Sequence, residues 1–114
     1  MKAVFVELPA FERHRSEYLD DEALAELQRV MMRNPTAGDI IKDTGGLRKL
    51  RFADAKRSKG KRGGLRVIYY WWNVGLQFWL FSLYGKDEMD DLTSQQRKAL
   101  KTMLKTELEA RRNP

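Results

Sequence analysis

Lys49, Arg51 and Arg66 are spaced so that they can meet on one surface. Lys49 and Arg51 lie two residues apart in a stretch, 47–53, that reads as a strand. Strand side chains alternate between faces, so these two share one. Arg66 opens a second run, Leu65 to Trp72, whose Val67-Ile68-Tyr69-Tyr70-Trp71-Trp72 is rich in the β-branched and aromatic types that suit a pleated surface. On a neighbouring strand Arg66 can sit opposite the first two. Three cations on one sheet face repel each other unless an anion lies among them. Planar guanidinium groups hold phosphate oxygens bidentately and never lose their charge, so phosphate is the anion this pattern suits.

The charge balance points the same way. The chain has 114 residues and a net charge of +6, and residues 42–66 hold ten Lys/Arg against Asp43 and Asp54, leaving the remainder net negative. A local basic footprint of this size fits a polyanion, most often nucleic acid. Between the two strands lies a loop, Ala55 to Gly64, in which Lys56, Arg57, Lys59, Lys61 and Arg62 alternate with serine and glycine. It has no apolar anchor and is expected to be mobile until an anion orders it. The expected role of this loop, together with Arg48, is to bind RNA backbone in a salt-dependent, sequence-blind way. Its spacing matches no nucleotide-binding fingerprint.

The remaining elements must hold this surface in place. Lys2 to Leu8 reads as a short strand, and Pro9 suits the first turn of a helix running to about Leu19. His14 in that helix reads as a surface or packing residue. Asp20 or Asp21 can cap a second helix, with Leu24, Leu27, Val30 and Met31 as its core stripe and Asn34-Pro35 as its end. A linker follows, with Ile40 and Ile41 expected to fold inward. Asn73-Val74-Gly75 reads as a tight turn into a third strand, Leu76 to Tyr84. Thr93 with Gln96 forms a capping box for a last helix to about Arg111, with Ala99, Leu100, Met103, Leu104 and Leu108 as its apolar stripe. The expectation is a single α+β domain over residues 1–114: an N-terminal strand, a two-helix hairpin, an antiparallel three-strand meander and a C-terminal helix. The chain has no cysteine and one histidine, which excludes disulfides, a Cys nucleophile and a His-pair nuclease. No membrane span or signal-peptide pattern is present, so a cytoplasmic protein is expected.

Gly46-Leu47-Arg48-Lys49-Leu50-Arg51, Arg62-Gly63-Gly64-Leu65-Arg66-Val67-Ile68-Tyr69-Tyr70 and Tyr84-Gly85-Lys86-Asp87-Glu88-Met89-Asp90-Asp91-Leu92 together resemble the RelE superfamily, and within it the HigB-like toxins of bacterial toxin–antitoxin pairs. The resemblance covers essentially the whole chain. It implies a RelE-like fold and an endoribonuclease that cuts mRNA in the ribosomal A site. It also implies a cognate antitoxin with a helix-turn-helix DNA-binding domain. The family's basic pair on the first meander strand matches Lys49 and Arg51, and the arginine opening the next strand matches Arg66. Asp87 stands where such enzymes carry an arginine, and Thr93 is close to the place of a catalytic tyrosine. Either Lys86 and Tyr84 take over those duties, or the site works with fewer groups.

The residues suit cleavage without metal or cofactor, in which the 2′-OH of RNA attacks the adjacent phosphate. Arg51 and Arg66 can stabilise charge added to phosphorus. Crowding by arginines disfavours the charged form of Lys49, which suits a general base, and Lys86 or Tyr84 can donate a proton to the leaving oxygen. The alternative is a non-catalytic RNA- or ribosome-binding module using the same basic face. DNA binding fits less well, because no recognition helix carries the basic residues. Tyr69, Tyr70, Trp71 and Trp72 alternate across their strand, so about half should be core and an outward one can stack on a base.

Overall fold

The computed structural model describes residues 2–112. In chain order the elements are β1 (Val4–Glu7), α1 (Pro9–Tyr18), α2 (Asp21–Arg33), β2 (Asp39–Ile40), β3 (Arg48–Phe52), β4 (Leu65–Trp72), β5 (Gln77–Gly85) and α3 (Ser94–Arg112). The strands form one sheet in the order β1-β5-β4-β3-β2. β3, β4 and β5 make the expected antiparallel meander, and β1 joins it parallel to β5, so the sheet is mixed. The two-residue β2 on the opposite edge is an addition to the expected elements.

Local chemistry accounts for the helix ends. Pro9 occupies the first turn of α1. The Asp20 side chain accepts from the Ala23 N–H at 2.7 Å and starts α2. Thr93 and Gln96 form the reciprocal capping box, with Gln96 N–H to Thr93 Oγ1 at 3.1 Å and Thr93 N–H to Gln96 Oε1 at 2.8 Å. Thr93 therefore serves the start of α3.

Both sheet faces are covered. On one, Phe11, Tyr18, Leu27 and Met31 of α1 and α2 pack against Leu50, Phe52, Val67, Tyr69, Phe78 and Leu80. On the other, Leu100 and Leu104 of α3 pack against Leu47, Ile68, Trp79 and Phe81. Tyr69 is core, and Tyr70, Trp71 and Trp72 pack against these clusters but stay partly exposed. Ile41 is buried, but Ile40 on edge strand β2 is exposed, because adjacent strand residues face opposite ways. In α3, Ala99 and Met103 are exposed and the buried stripe narrows to Leu100 and Leu104, flanked by Leu108. The β4–β5 turn spans 73–76 with Leu76 rather than glycine at positive φ, and a Cβ on Gly75 would lie 2.1 Å from the Trp72 ring. Among the described residues no helix is long and apolar enough to cross a membrane.

A β-bulge between β4 and β5 bears directly on the basic face. Ile68 pairs with Ser82 but Tyr69 pairs with Leu80, so Phe81 is the extra residue. The extra residue inverts the alternation. Trp79 below the bulge and Tyr84 above it both lie on the face of Arg66.

Candidate nucleic-acid site on the α3 side of the sheet

The register brings the expected cations together. Arg51 pairs directly with Arg66, and Arg66 pairs directly with Tyr84, so one row crosses β3, β4 and β5. Lys49 stands two residues along on the same face. On this face α3 packs Leu100 and Leu104 against Leu47, Ile68, Trp79 and Phe81. The 86–92 segment lies beside the row, with Asp91 reaching Lys49 and close enough to Tyr84 for its charge to act on it.

The four charged groups in and beside the row differ in what they touch. Arg51 is exposed and makes no side-chain hydrogen bond or ion pair with another described residue. Arg66 is 4% exposed, and its guanidinium donates to the carbonyls of Lys61 (3.0 Å), Leu65 (3.1 Å) and Arg62 (2.8 Å). It holds the basic loop onto the sheet and keeps only part of its donor fork for an anion. Lys49 Nζ lies 3.2 Å from Asp91 Oδ1. The Asp91 carboxylate thus stands directly beside the ammonium, a neighbour that the expected crowding by arginines did not include. Lys86 is paired with Asp90.

Tyr84 is the unusual member. It is 8% exposed, and its hydroxyl is buried with no hydrogen-bond partner. Burial above all, and then the nearby charge of Asp91, push its pKa up, with Arg66 opposing. The hydroxyl thus keeps its proton through the neutral range. The Leu92 N–H, donating to Oδ1 at 2.8 Å, and then Lys49 hold the Asp91 carboxyl below the usual carboxylate range. Among the described residues no cluster of carboxylate and histidine side chains could hold a metal ion.

The loop is not the mobile arm expected from its composition. Asp54, 1% exposed, accepts from the Arg57 N–H at the 3₁₀ turn Ala55–Arg57, and Asp54 and Lys59 form a β-bridge. The Arg57 guanidinium lies 3.2 Å from Asp54 Oδ2, donates to the Glu17 carbonyl and stacks 4.8 Å from the Tyr18 ring centre. The Tyr18 hydroxyl bonds Glu88, and burial together with that carboxylate pushes its pKa up to about 12. Lys56 donates to the Ser16 carbonyl and Lys59 pairs with Asp87. A Cβ on Gly64 would meet the Phe52 carbonyl oxygen at 2.5 Å, so this glycine serves close backbone approach. Only Lys61 and Arg62 present side chains outward without a described partner. Arg48 also departs from its expected role. It lies on the α1–α2 side of β3 and donates to the Thr36 and Gly38 carbonyls, tying down the linker.

These contacts divide the loop cations into two groups with opposite expected behaviour. Arg57→Ala strands a buried carboxylate and loses the stack on Tyr18, and should cost about 3 kcal/mol of stability. Replacing Lys61 and Arg62 by Gln should leave denaturant unfolding unchanged and lower the log–log salt slope of RNA binding by up to ~1.4, at ~0.7 per single-strand phosphate contact. Equal destabilisation by the two changes would refute this division.

Sequence reasoning overlooked the carboxylates of this site. Asp87, Asp90 and Asp91 pair with Lys59, Lys86 and Lys49, so each of these lysines has an internal counter-ion. The signal was present in the acidic run Asp87-Glu88-Met89-Asp90-Asp91 directly after Lys86. No protein-family model matches the chain.

Proposed function

We propose that the chain is a ribosome-dependent endoribonuclease of the RelE type that cleaves mRNA through attack of its own 2′-OH, held in check by a cognate antitoxin. The observation that carries this reading is the row Arg51–Arg66–Tyr84, in which a buried, protonated hydroxyl without a partner lies beside guanidinium groups. An unsatisfied buried hydroxyl costs about 1–3 kcal/mol, and a substrate oxygen would satisfy it. In this reading Arg51 and the remaining Arg66 donors hold the scissile phosphate, Tyr84 protonates the leaving 5′-oxygen, and Lys86 supplies charge once its carboxylate is displaced. Proton abstraction from the 2′-OH falls to Lys49 only after Asp91 has moved away; otherwise the ribosome supplies the base.

The purified chain should cut mRNA on translating ribosomes and cut free RNA poorly, because few of its own groups are unpaired and the ribosome must orient the substrate. Cleavage mapping on the same mRNA with and without ribosomes measures this, and equal cutting of both would refute it. A second reading, a non-catalytic ribosome-binding module, is favoured by the commitment of Arg66 to loop carbonyls and of Lys49 and Lys86 to carboxylates. Salt-sensitive ribosome binding without any cleavage product would establish it.

A further inference from the structure

α3 carries its exposed charge on one side. At 3.6 residues per turn, Ser94, Lys98, Lys101, Lys105, Glu109 and Arg112 fall within an arc of about 80°, adjoining the buried stripe of Leu100 and Leu104. The opposite flank, Gln96, Ala99, Thr102, Met103, Thr106 and Ala110, has no charge. Lys98, Lys101 and Lys105 are exposed and, unlike Lys49, Lys59 and Lys86, have no carboxylate partner among the described residues. An open cleft of about 430 Å³ is lined by Asp43, Ser94, Arg97, Lys98 and Lys101, and a second of about 300 Å³, which shares Lys101 with it, is lined by Lys105 and Arg112 together with Glu109. Asp43 is the one carboxylate among the residues of the first cleft, against three cations.

This stripe begins where the candidate site ends. Arg97 donates to the Leu92 carbonyl at 2.7 Å, and the preceding Asp91 holds Lys49. From there Lys98 to Lys105 runs about 10 Å along the helix at ~1.5 Å per residue.

We propose that the Lys98–Lys101–Lys105 stripe is a second phosphate-binding surface, which holds the RNA backbone flanking the segment bound at Lys49 and Arg51. This rests on the reading that the sheet site takes RNA. A free cationic stripe beside a site whose own lysines are internally paired would supply the initial attraction, and the paired lysines would then be recruited by exchange.

The test compares Lys98→Gln/Lys101→Gln/Lys105→Gln with the parent for binding of 2′-O-methyl RNA, which cannot undergo 2′-OH attack, at lengths of about 16 and about 4 nucleotides, the span of known single-strand site sizes. The triple variant should lose tenfold or more in affinity for the long oligomer, with its log–log salt slope reduced by up to ~2, and bind the short one as the parent does. An unchanged slope, equal loss at both lengths, or the same loss from Lys2→Gln/Arg13→Gln/Arg33→Gln on other surfaces would overturn the proposal. So would loss of polyglutamate binding with RNA binding intact, which would assign the stripe to an acidic protein. Arg51→Gln separates the two readings. If it leaves the short oligomer bound while the triple variant still weakens the long one, the stripe stands and the sheet site falls.

Discussion

Tyr84→Phe is expected to abolish most cleavage while leaving the protein as stable as the parent or slightly more stable. The substitution removes a hydroxyl that is buried without a hydrogen-bond partner, and it keeps the ring that packs among Leu92 and its neighbours. Removing an unsatisfied polar group in favour of an apolar one of the same shape is neutral or stabilising, here by about 1 kcal/mol. If the hydroxyl donates the proton to the leaving oxygen, its loss should lower the single-turnover rate on saturating ribosomes by about 10²–10⁴-fold, with ribosome affinity unchanged. Denaturant unfolding and single-turnover cleavage, measured on the same preparation, decide the matter. A stability loss above about 2 kcal/mol would mean that the hydroxyl has a structural partner. A retained rate would remove Tyr84 from the chemistry.

Arg66→Met is expected to act first on the fold. Its guanidinium supplies three hydrogen bonds to the carbonyls of Lys61, Leu65 and Arg62 from a position only 4% exposed. Losing charge-assisted bonds of this kind should cost about 3 kcal/mol, because the carbonyls near the loop surface regain water while that of Leu65 does so poorly. The loop should then detach and its Lys59, Lys61 and Arg62 bonds become sensitive to trypsin. Arg66→Lys should recover part of the loss, since an ammonium cannot reproduce the planar fork. An unchanged midpoint together with a trypsin-resistant loop would refute the structural role. Loss of cleavage in an Arg66 variant is therefore ambiguous between chemistry and loop order. Arg51→Gln is the cleaner probe of anion stabilisation: the side chain is exposed and unpartnered, so stability should hold while the rate falls by about 10²–10³-fold.

The local signals in the chain carried most of the architecture. Alternation and β-branched composition marked β3, β4 and β5 to within a residue or two, and Asp20, Thr93 with Gln96, and Pro9 marked the helix starts, because capping is a short-range interaction. The sharing of one face by Lys49, Arg51 and Arg66 was also legible, since it follows from a period of two and an antiparallel neighbour. What composition misjudged was the loop. Lys56, Arg57 and Lys59 looked like free cations because Ser16, Glu17 and Asp87 are brought to them by the fold.

Three features lay beyond any local reading. The parallel placement of β1 beside β5 depends on how α1 and α2 return the chain across the sheet. The bulge at Phe81 decides that Tyr84 faces Arg66 on the same side as Trp79, whereas uninterrupted alternation would put Tyr84 and Trp79 on opposite sides. The division of labour among the cations is tertiary for Lys49 and Lys59, whose carboxylates are distant in sequence, while Lys86 finds its carboxylate and Arg66 its carbonyls within five residues. Arg66 is buried on carbonyls, Lys49, Lys59 and Lys86 are held by carboxylates from the 87–91 run, and Arg51 and the α3 lysines are left open to solvent. A residue's type and spacing set which face it occupies, but whether its charge is free or already spent depends on side-chain geometry and, for Lys49 and Lys59, on carboxylates distant in sequence that only packing brings close.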